Sequence, residues 1–575
     1  MRNKPTSALR EDVLGPWPNG VNNSVRAFSI PQGSALDCLN MDFADDGRVS
    51  IRSGRSVVAL LANAHSLRTI GGKAFISHSG NISVINSVEP FSTTAIRSGI
   101  AESRISYAER GGEVWWSNGV ECGRISTDNS DHPWTVPAPA NIPYVTAGAG
   151  SLLPGEYRIA ITHSTADGEE SLPSAVEQIV LSQAGGITVT LPTAAAGVSY
   201  TNVYCTRADG AILQQYLSVP ATDAEMTIGS DAQGKQLRNR VGLSPLPPGD
   251  AICFHGNRLC SMKGEFLYYS LPWEYGVCDL AQDYIVLGAS GTILASVCSG
   301  MYVAADRTWF YQGDDISSAI PMEKLPFGAA SGTVFEHPSA TSPVVGWYSQ
   351  EGISLGAADG SVKMLQRDAG FIAPSASSGA TWVRQRDGLT HVVVSLDATA
   401  AYSKQASVDF LSAMDRYNDD ATTMSINLTT GATSRYGEFN LDSFGQINGD
   451  EYGCASDGLY LLEGETDAGE EIQSVLDFGH VGAGSEHLKS PVCAYVAGLS
   501  SAPLIITITL PDGTSYDYPA RSYSQDVERV QRHDGMKGLM NKRQAWFDVV
   551  LRNDGGEGME VFSATLVVNE SRRRI

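Results

Sequence analysis

The chain has 575 residues, of which 42% are hydrophobic and only 18% charged, and its 40 basic and 63 acidic side chains give a formal net charge of −23. That apolar fraction supports a core and excludes a disordered, collagenous or coiled-coil chain, and the length predicts three to four domains, fewer if they are large β structures. The acidity argues against a protein that grips nucleic acid by neutralising phosphates.

The N-terminus, MRNKPTSALREDVLG, carries no apolar signal region. The most apolar runs, 57–62 and 504–510, fall far short of the ~20 residues that cross a bilayer. Both features predict a soluble product of a cytoplasm with no membrane span. The nine cysteines (38, 122, 205, 253, 260, 278, 298, 454 and 493) are scattered, with no C-x-x-C pair, and predict buried thiols rather than disulfides or zinc.

Along the chain the dominant hydrophobic period is two. Short aromatic and β-branched runs such as Val114-Trp115-Trp116, Leu267-Tyr268-Tyr269 and Thr308-Trp309-Phe310-Tyr311 predict strands. Between them stand turn signals: Arg110-Gly111-Gly112, Ser117-Asn118-Gly119, His255-Gly256-Asn257, Arg386-Asp387-Gly388, Ser456-Asp457-Gly458 and Pro511-Asp512-Gly513. An all-β, meander-rich fold follows. A turn-strand-turn phrase starts at Lys73, Glu113, Asn257, Gly300, Gly352 and Gly458, at intervals of 40, 144, 43, 52 and 106 residues. The short intervals fit one propeller blade of ~40–50 residues, and the 144 fits a blade plus an insertion. The alternative is a set of β-sandwiches without cyclic symmetry.

Residues 1–136 thus read as an N-terminal arm and the first propeller blades. Prolines 133, 137, 139 and 143 and the run LSPLPP at 243–248 bracket an insertion, 137–247, with sandwich-like strand spacing. Its phrases Leu153-Pro154-Gly155-Glu156-Tyr157-Arg158, Asp167-Gly168-Glu169-Glu170-Ser171 and Val203-Tyr204-Cys205-Thr206 resemble a fibronectin type III module. Residues 248–479 read as the remaining blades, with one short helix over 408–417. Residues 480–575 read as a small C-terminal β-sandwich; this part carries eleven basic and eleven acidic residues, so the entire −23 lies in 1–479. Trp115, Trp116, Trp273 and Trp309 are expected in blade cores.

Chemistry-bearing motifs fail on their details. The run from Gly229 to Lys235 mimics a P-loop, but Gln236 stands where Ser or Thr would hold magnesium. The phrase from Ser126 to Trp134 resembles an Asp-box turn of sialidase propellers, with Ser130 in place of the glycine and the tryptophan one residue late. His480 and His487 read as solvated linker residues, and the pairs Asp45-Asp46, Asp314-Asp315 and Asp419-Asp420 as turns. No catalytic, cofactor-binding or metal-binding residues are predicted. The basic cluster Arg529, Arg532, Lys537, Lys542 and Arg543, with Arg572-Arg573-Arg574, reads as a partner-docking or solvated surface.

One phrase is distinctive. Trp17-Pro18-Asn19-Gly20-Val21-Asn22-Asn23 leads to Leu36-Asp37-Cys38-Leu39-Asn40-Met41-Asp42-Phe43, then Asp46-Gly47-Arg48 and Arg52-Ser53-Gly54-Arg55. A second runs from Pro248-Gly249-Asp250 through His255-Gly256-Asn257-Arg258-Leu259 to Leu271-Pro272-Trp273-Glu274-Tyr275-Gly276. Together they resemble the tail nozzle or tail hub proteins (packaged-DNA stabilisation proteins) of short-tailed bacteriophages. The resemblance covers about residues 12–330 and, loosely, the C-terminal part. It implies a structural virion protein without enzymatic chemistry, made in the bacterial host cytoplasm and placed in the phage tail. The implied assembly is a hexameric tube below the portal and adaptor, contacting tail fibre, spike or needle proteins and conducting double-stranded DNA. Other readings are a different tail part, such as a receptor-contacting tip, and a glycan-acting propeller.

Overall fold

The computed structural model describes residues 8–574 except 142, 239, 241, 338–343, 404, 417–421, 501–503, 523–528, 535, 537, 538, 540, 541 and 555–558. The protein is all-β; the helices among the described residues are the short Leu365–Ala369 and Val408–Arg416 and one 3-10 turn. The chain divides into two compact units. One comprises Met1–Arg104, Gly288–Asp314 and Ser318–Ile575, and the other Ile105–Leu287 and Asp315–Ser317.

The first unit contains four separate four-stranded antiparallel meanders of propeller-blade type. The first is His65–Ile70, Lys73–His78, Asn81–Val88 and Phe91–Ser98. The second is Ile293–Val297, Gly300–Ala304, Thr308–Gln312 and Ile320–Leu325, and the third runs from Phe335–Glu336 to Val362–Met364. The fourth joins Ser443–Ile447, Asp450–Ala455 and Gly458–Leu461 to a strand from near the other end of the chain, Ser56–Leu60. A fifth quartet, from Gly379–Arg386 to Thr433–Tyr436, belongs to a much longer sheet: Asp37–Leu39 pairs with Thr433–Tyr436 on one side and Val475–Val481 on the other.

The recurrent sequence phrase opens the second strand of its meander at four sites but the third at Gly352 and Gly458. Second and third strands look alike in sequence because both are central and buried on both faces, as the patterns of Val344–Ser349 and Gly352–Ala357 show.

The long sheet also takes in the C-terminal strands. His487–Ser500 pairs with Met559–Arg574, which pairs in turn with Ala8–Leu14 and Val49–Ile51. Residues 480–575, expected as a sandwich of their own, therefore share one backbone ladder with the N-terminal arm. Strand pairing across the whole chain length leaves no local sequence mark, and this is why a composition boundary at 480 does not coincide with a ladder boundary.

The second unit holds two more meanders, Ser106–Arg110 to Asp131–His132 and Ala251–His255 to Tyr284–Val286. Between them in sequence lies a sandwich of three strands (Tyr144–Leu152, Gly185–Thr190, Glu225–Ile228) and four (Glu177–Leu181, Gly155–Ser164, Tyr200–Cys205, Gln214–Pro220). Its core is its own: Tyr157, Ile159, Ile161, Ile187, Val189, Val203 and Ile228 are fully buried. The Tyr157 hydroxyl donates to the Leu153 carbonyl at 2.8 Å, so a large side chain enters the core with its polar tip satisfied.

Trp115 and Trp116 are core residues as expected, and Trp309 is partly buried. Trp273 is not: it is 66% exposed, with a left-handed backbone (φ 65°), in the connection that follows Phe266–Tyr269. Its ring lies 5.9 Å from the Arg110 guanidinium. Six cysteines are buried, but Cys122 and Cys253 are half-buried and Cys298 is exposed.

Candidate functional site

The N-terminal phrase builds a dense, buried polar constellation, and it lies inside the first unit. Trp17 is buried, stacks on Phe478 at 5.5 Å, and donates its backbone N–H to Gly47. Gly47 is obligatory. Its φ is +85°, and a Cβ would stand 2.6 Å from the backbone nitrogens of Trp17 and Pro18. Asn23 clamps Ile372 in both directions: its amide donates to the Ile372 carbonyl at 3.0 Å, and its Oδ1 accepts the Ile372 N–H at 2.6 Å.

The following strands insert charge into the core. Arg435 grips Asp37 with two bonds, Nε to Oδ1 at 2.9 Å and Nη2 to Oδ2 at 2.6 Å, and both side chains are wholly inaccessible. Asp42 accepts from Arg384 at 2.5 Å, from Ser425 at 2.6 Å and from the Tyr436 hydroxyl. Burial alone would raise the Asp42 pKa; Arg384, His391 and the two hydroxyls outweigh it and hold the carboxyl well below the usual range. Asn40 joins Arg52 (2.9 Å), the Gly437 N–H (2.9 Å) and the Gln473 carbonyl (2.8 Å). Arg52 in turn pairs with Asp467.

Each of these charges is met by an opposite charge or a fixed dipole, the condition under which buried ions persist. Asp477 is less fully compensated. It lies opposite Asp37 across the ladder, is buried, and receives the Gly479 N–H on Oδ1, while Arg416 stands 3.8 Å from Oδ2. Burial pushes its carboxyl up to about 7; Gly479 and Arg416 oppose this, and Asp37 and Asp548 add to it.

Two clefts open in the same unit. The smaller, about 720 Å³, is lined by Arg48, Arg52, Arg384 and Arg386 together with Asp42, Asp387, Glu465 and Glu560. Its arginines are engaged: Arg48 with Asp46 and Glu560, Arg52 with Asp467, Arg384 with Asp42, and Arg386 with Ser53. The larger, about 1260 Å³, is lined by His65, Glu102, Arg104, Asp397, Asp442 and the helix residues Leu411 and Met414. There Arg104 donates to the carbonyls of Gly379 (2.6 Å), Gly332 (3.3 Å) and Asp442 (3.4 Å), tying three connections together. Asp397 caps a turn through Ser377, Ser378 and Thr399. The arginines of both clefts, and Asp397, are thus engaged in holding the fold.

The motif look-alikes have structural partners. Lys235 of the P-loop mimic bonds Glu170 at 2.8 Å, and Ala232 is buried in the sandwich core. In the Asp-box-like turn, Asp128 accepts from Ser126 and from the Ser130 N–H, while Trp134 donates to the Gly123 carbonyl at 2.9 Å. Asp315 pairs with Arg258 at 2.8 Å.

The two histidines have carboxylate partners, and His480 is largely shielded from solvent, whereas His487 is half-buried. His480 contacts Asp548 and stacks on Trp546 at 3.8 Å, and His487 lies 3.1 Å from Glu570. Both sit in paired strands, and a glycine-rich flank disguised that in the sequence. Of the basic cluster, Lys542 and Arg543 are exposed; Lys537 and the side chains of Arg529, Arg532 and 572–574 lie outside the described residues, as do Asp419 and Asp420. Among the described residues no three His, Cys, Asp or Glu side chains group as metal ligands, and no helix is long and apolar enough to cross a membrane.

No family model matches the chain, and no curated protein matches it. Solved structures similar to it include the WD40 β-propeller domain of Doa1 (9% identity, TM-score 0.26, 71% of this chain and 96% of that one). A chain of the mitotic checkpoint complex matches at 8% identity and TM-score 0.29, covering 72% and 95%. An exo-β-1,3-galactanase from Phanerochaete chrysosporium matches at 9% identity and TM-score 0.19, covering 90% and 100%. Likeness at this level carries nothing about function.

Proposed function

We propose that this protein is a structural component of a tailed-bacteriophage virion: a subunit of the tail nozzle or hub that assembles as a hexamer beneath the portal and adaptor, retains packaged DNA and conducts it during ejection. The observation that carries this reading is the place of the distinctive N-terminal phrase. Its Asp37, Asn40, Asp42 and Arg52 are buried and joined to partners hundreds of positions away, as in Arg435–Asp37 and Arg384–Asp42. A sequence signature used this way is architectural rather than catalytic, which suits a load-transmitting part with no chemistry of its own. Charge agrees: six copies carry roughly −138 in total, and a conduit of that sign repels passing phosphates rather than adsorbing them.

The test is electron microscopy of the full chain and of virions that contain it. Sixfold rings at the portal-proximal tail are expected. Monomers in the assembled virion, or absence from any virion, would overturn the reading. A position at the distal tip would assign the chain to receptor contact instead, and glycan hydrolysis lost on changing one carboxylate would replace the structural role with an enzymatic one.

A further inference from the structure

Cys253 and Cys260 face each other in the hairpin of the second unit. The strands Ala251–His255 and Arg258–Lys263 are joined by the two-residue turn Gly256-Asn257, and the register sets Cys253 directly opposite Cys260. Directly opposed residues of an antiparallel pair share one face of the sheet, with Cα atoms about 4.5–5.5 Å apart. That separation lies inside the range a disulfide spans, roughly 4.4–6.8 Å. The same juxtaposition lets Cys253 act on the protonation of Cys260. The remaining seven cysteines are dispersed through the sequence without a comparable neighbour in register among the paired strands described.

We propose that Cys253 and Cys260 form a redox-sensitive pair that closes to a cross-strand disulfide when the protein meets a low-molecular-weight disulfide oxidant. The two cysteines differ in access, and the difference orders the steps. Cys253 is half-buried, whereas Cys260 is fully buried between Cys253 and Tyr269, its partner on the next strand. The hydrogen bond with Cys253, then burial, pushes the Cys260 thiol well above its ordinary value. Cys253 is therefore the sulfur that attacks.

Its thiolate displaces one thiolate from the oxidant and forms a mixed disulfide. Cys260 then gives up its proton and attacks the Cys253 sulfur, and the second thiolate leaves. Two protein thiols lose two protons and two electrons, and one small disulfide becomes two small thiols. The backbone moves little, because the Arg258–Asp315 ion pair (2.8 Å) and the ladder to Phe266–Tyr269 already hold this hairpin. The inference is independent of the proposed virion role; it requires only that the chain pass from reducing to oxidising surroundings.

The experiment incubates the full chain with oxidised glutathione, unfolds it, alkylates the remaining thiols and maps the tryptic peptides. Arg258 lies between the two cysteines, so cleavage after it leaves peptides joined only by the disulfide. The expected result is that linked pair, two fewer alkylated thiols, and reversal by a reductant. The exposed Cys298 serves as a reporter that the oxidant is active, through its own glutathione adduct. A lasting adduct on Cys253 with Cys260 alkylated, or both cysteines alkylated, would overturn the proposal. Cys260→Ser is expected to trap the Cys253 adduct. Cys253→Ser is expected to leave Cys260 unmodified, and an adduct there would overturn the assigned order.

Discussion

Asp37 and Arg435 lie 398 residues apart in the chain and neither is reachable by water, whereas the inserted sandwich closes around Ile159, Ile161 and Val203, all from the single stretch 144–228. The first arrangement ties distant segments together with paired charge; the second folds a local segment on apolar contact. The difference lies in what each can tolerate. Apolar burial is non-directional and forgives local change of similar volume. A buried ion pair gains little net stability over an apolar pair of the same shape but is costly when one member is lost, so it enforces which segments meet.

The sharpest way to break this comparison is Arg435→Met. It leaves Asp37 charged and unpaired in the core and is expected to cost about 3–5 kcal/mol. The cost should appear as a lower denaturant midpoint for the first unit. Adding Asp37→Leu should recover much of the loss, since the double change removes the stranded charge. A single variant as stable as the wild type would show that water or another group reaches Asp37. Next in size is Ile161→Ala in the sandwich, expected to cost about 2–5 kcal/mol through lost contact and a residual cavity. Calorimetry of the whole chain should place that loss in the transition of the second unit only. An equal shift in both transitions would erase the distinction between local and long-range construction.

The two regions also differ in how much the sequence discloses. The sandwich and the meanders are legible because their signals are local. Strand period, turn residues such as Asp387-Gly388, and bracketing prolines all act within a few positions. In the run from Asp37 to Phe43 the same logic misleads. Its apolar residues alternate with Asn40 and Asp42, which reads as a half-solvated strand, yet both faces are buried. The covering groups, Arg435 and Arg384, come from strands 398 and 342 positions away from the aspartates they meet. The short run Thr433–Tyr436 is buried at every position despite three polar residues, and no periodicity marks that. Resemblance to a known phrase flagged these residues; only the fold supplies their partners. Trp273 fails for a different reason: a large aromatic side chain is expected in a blade core, but its left-handed backbone belongs to a turn and leaves the ring exposed.

Buried charge also makes the first unit respond to pH in two opposite senses. Asp42 is held below the usual carboxylate range, so its contribution is present at neutral pH and lost on acidification through its lowered pKa. Asp477, raised to about 7, does the reverse. A carboxyl with a raised folded pKa stabilises fully while both states are protonated, and that stability fades as pH climbs through the folded value. Between mildly acidic and mildly alkaline pH the first unit should therefore lose stability as pH rises. Asp477→Asn should flatten that slope without altering the acid limb set by Asp42. A wild-type profile that is flat through neutrality would mean that Arg416 neutralises Asp477 completely.

The smallest expected effect tests the other side of the comparison. Lys235 and Glu170 form an ion pair of 2.8 Å in the sandwich, with side chains 58% and 19% exposed. Glu170 also accepts from Thr162 and Tyr204, so its position does not depend on Lys235. Water screens such a pair, and Lys235→Ala should cost less than about 1 kcal/mol, a loss that shrinks further as salt is added. The same variant checks the P-loop mimic: nucleotide should change the stability of neither protein, because the lysine that would meet a phosphate is turned to Glu170. A loss of about 3 kcal/mol would instead place the sandwich in the same class as the Asp37–Arg435 region, dependent on particular charges despite its apolar core.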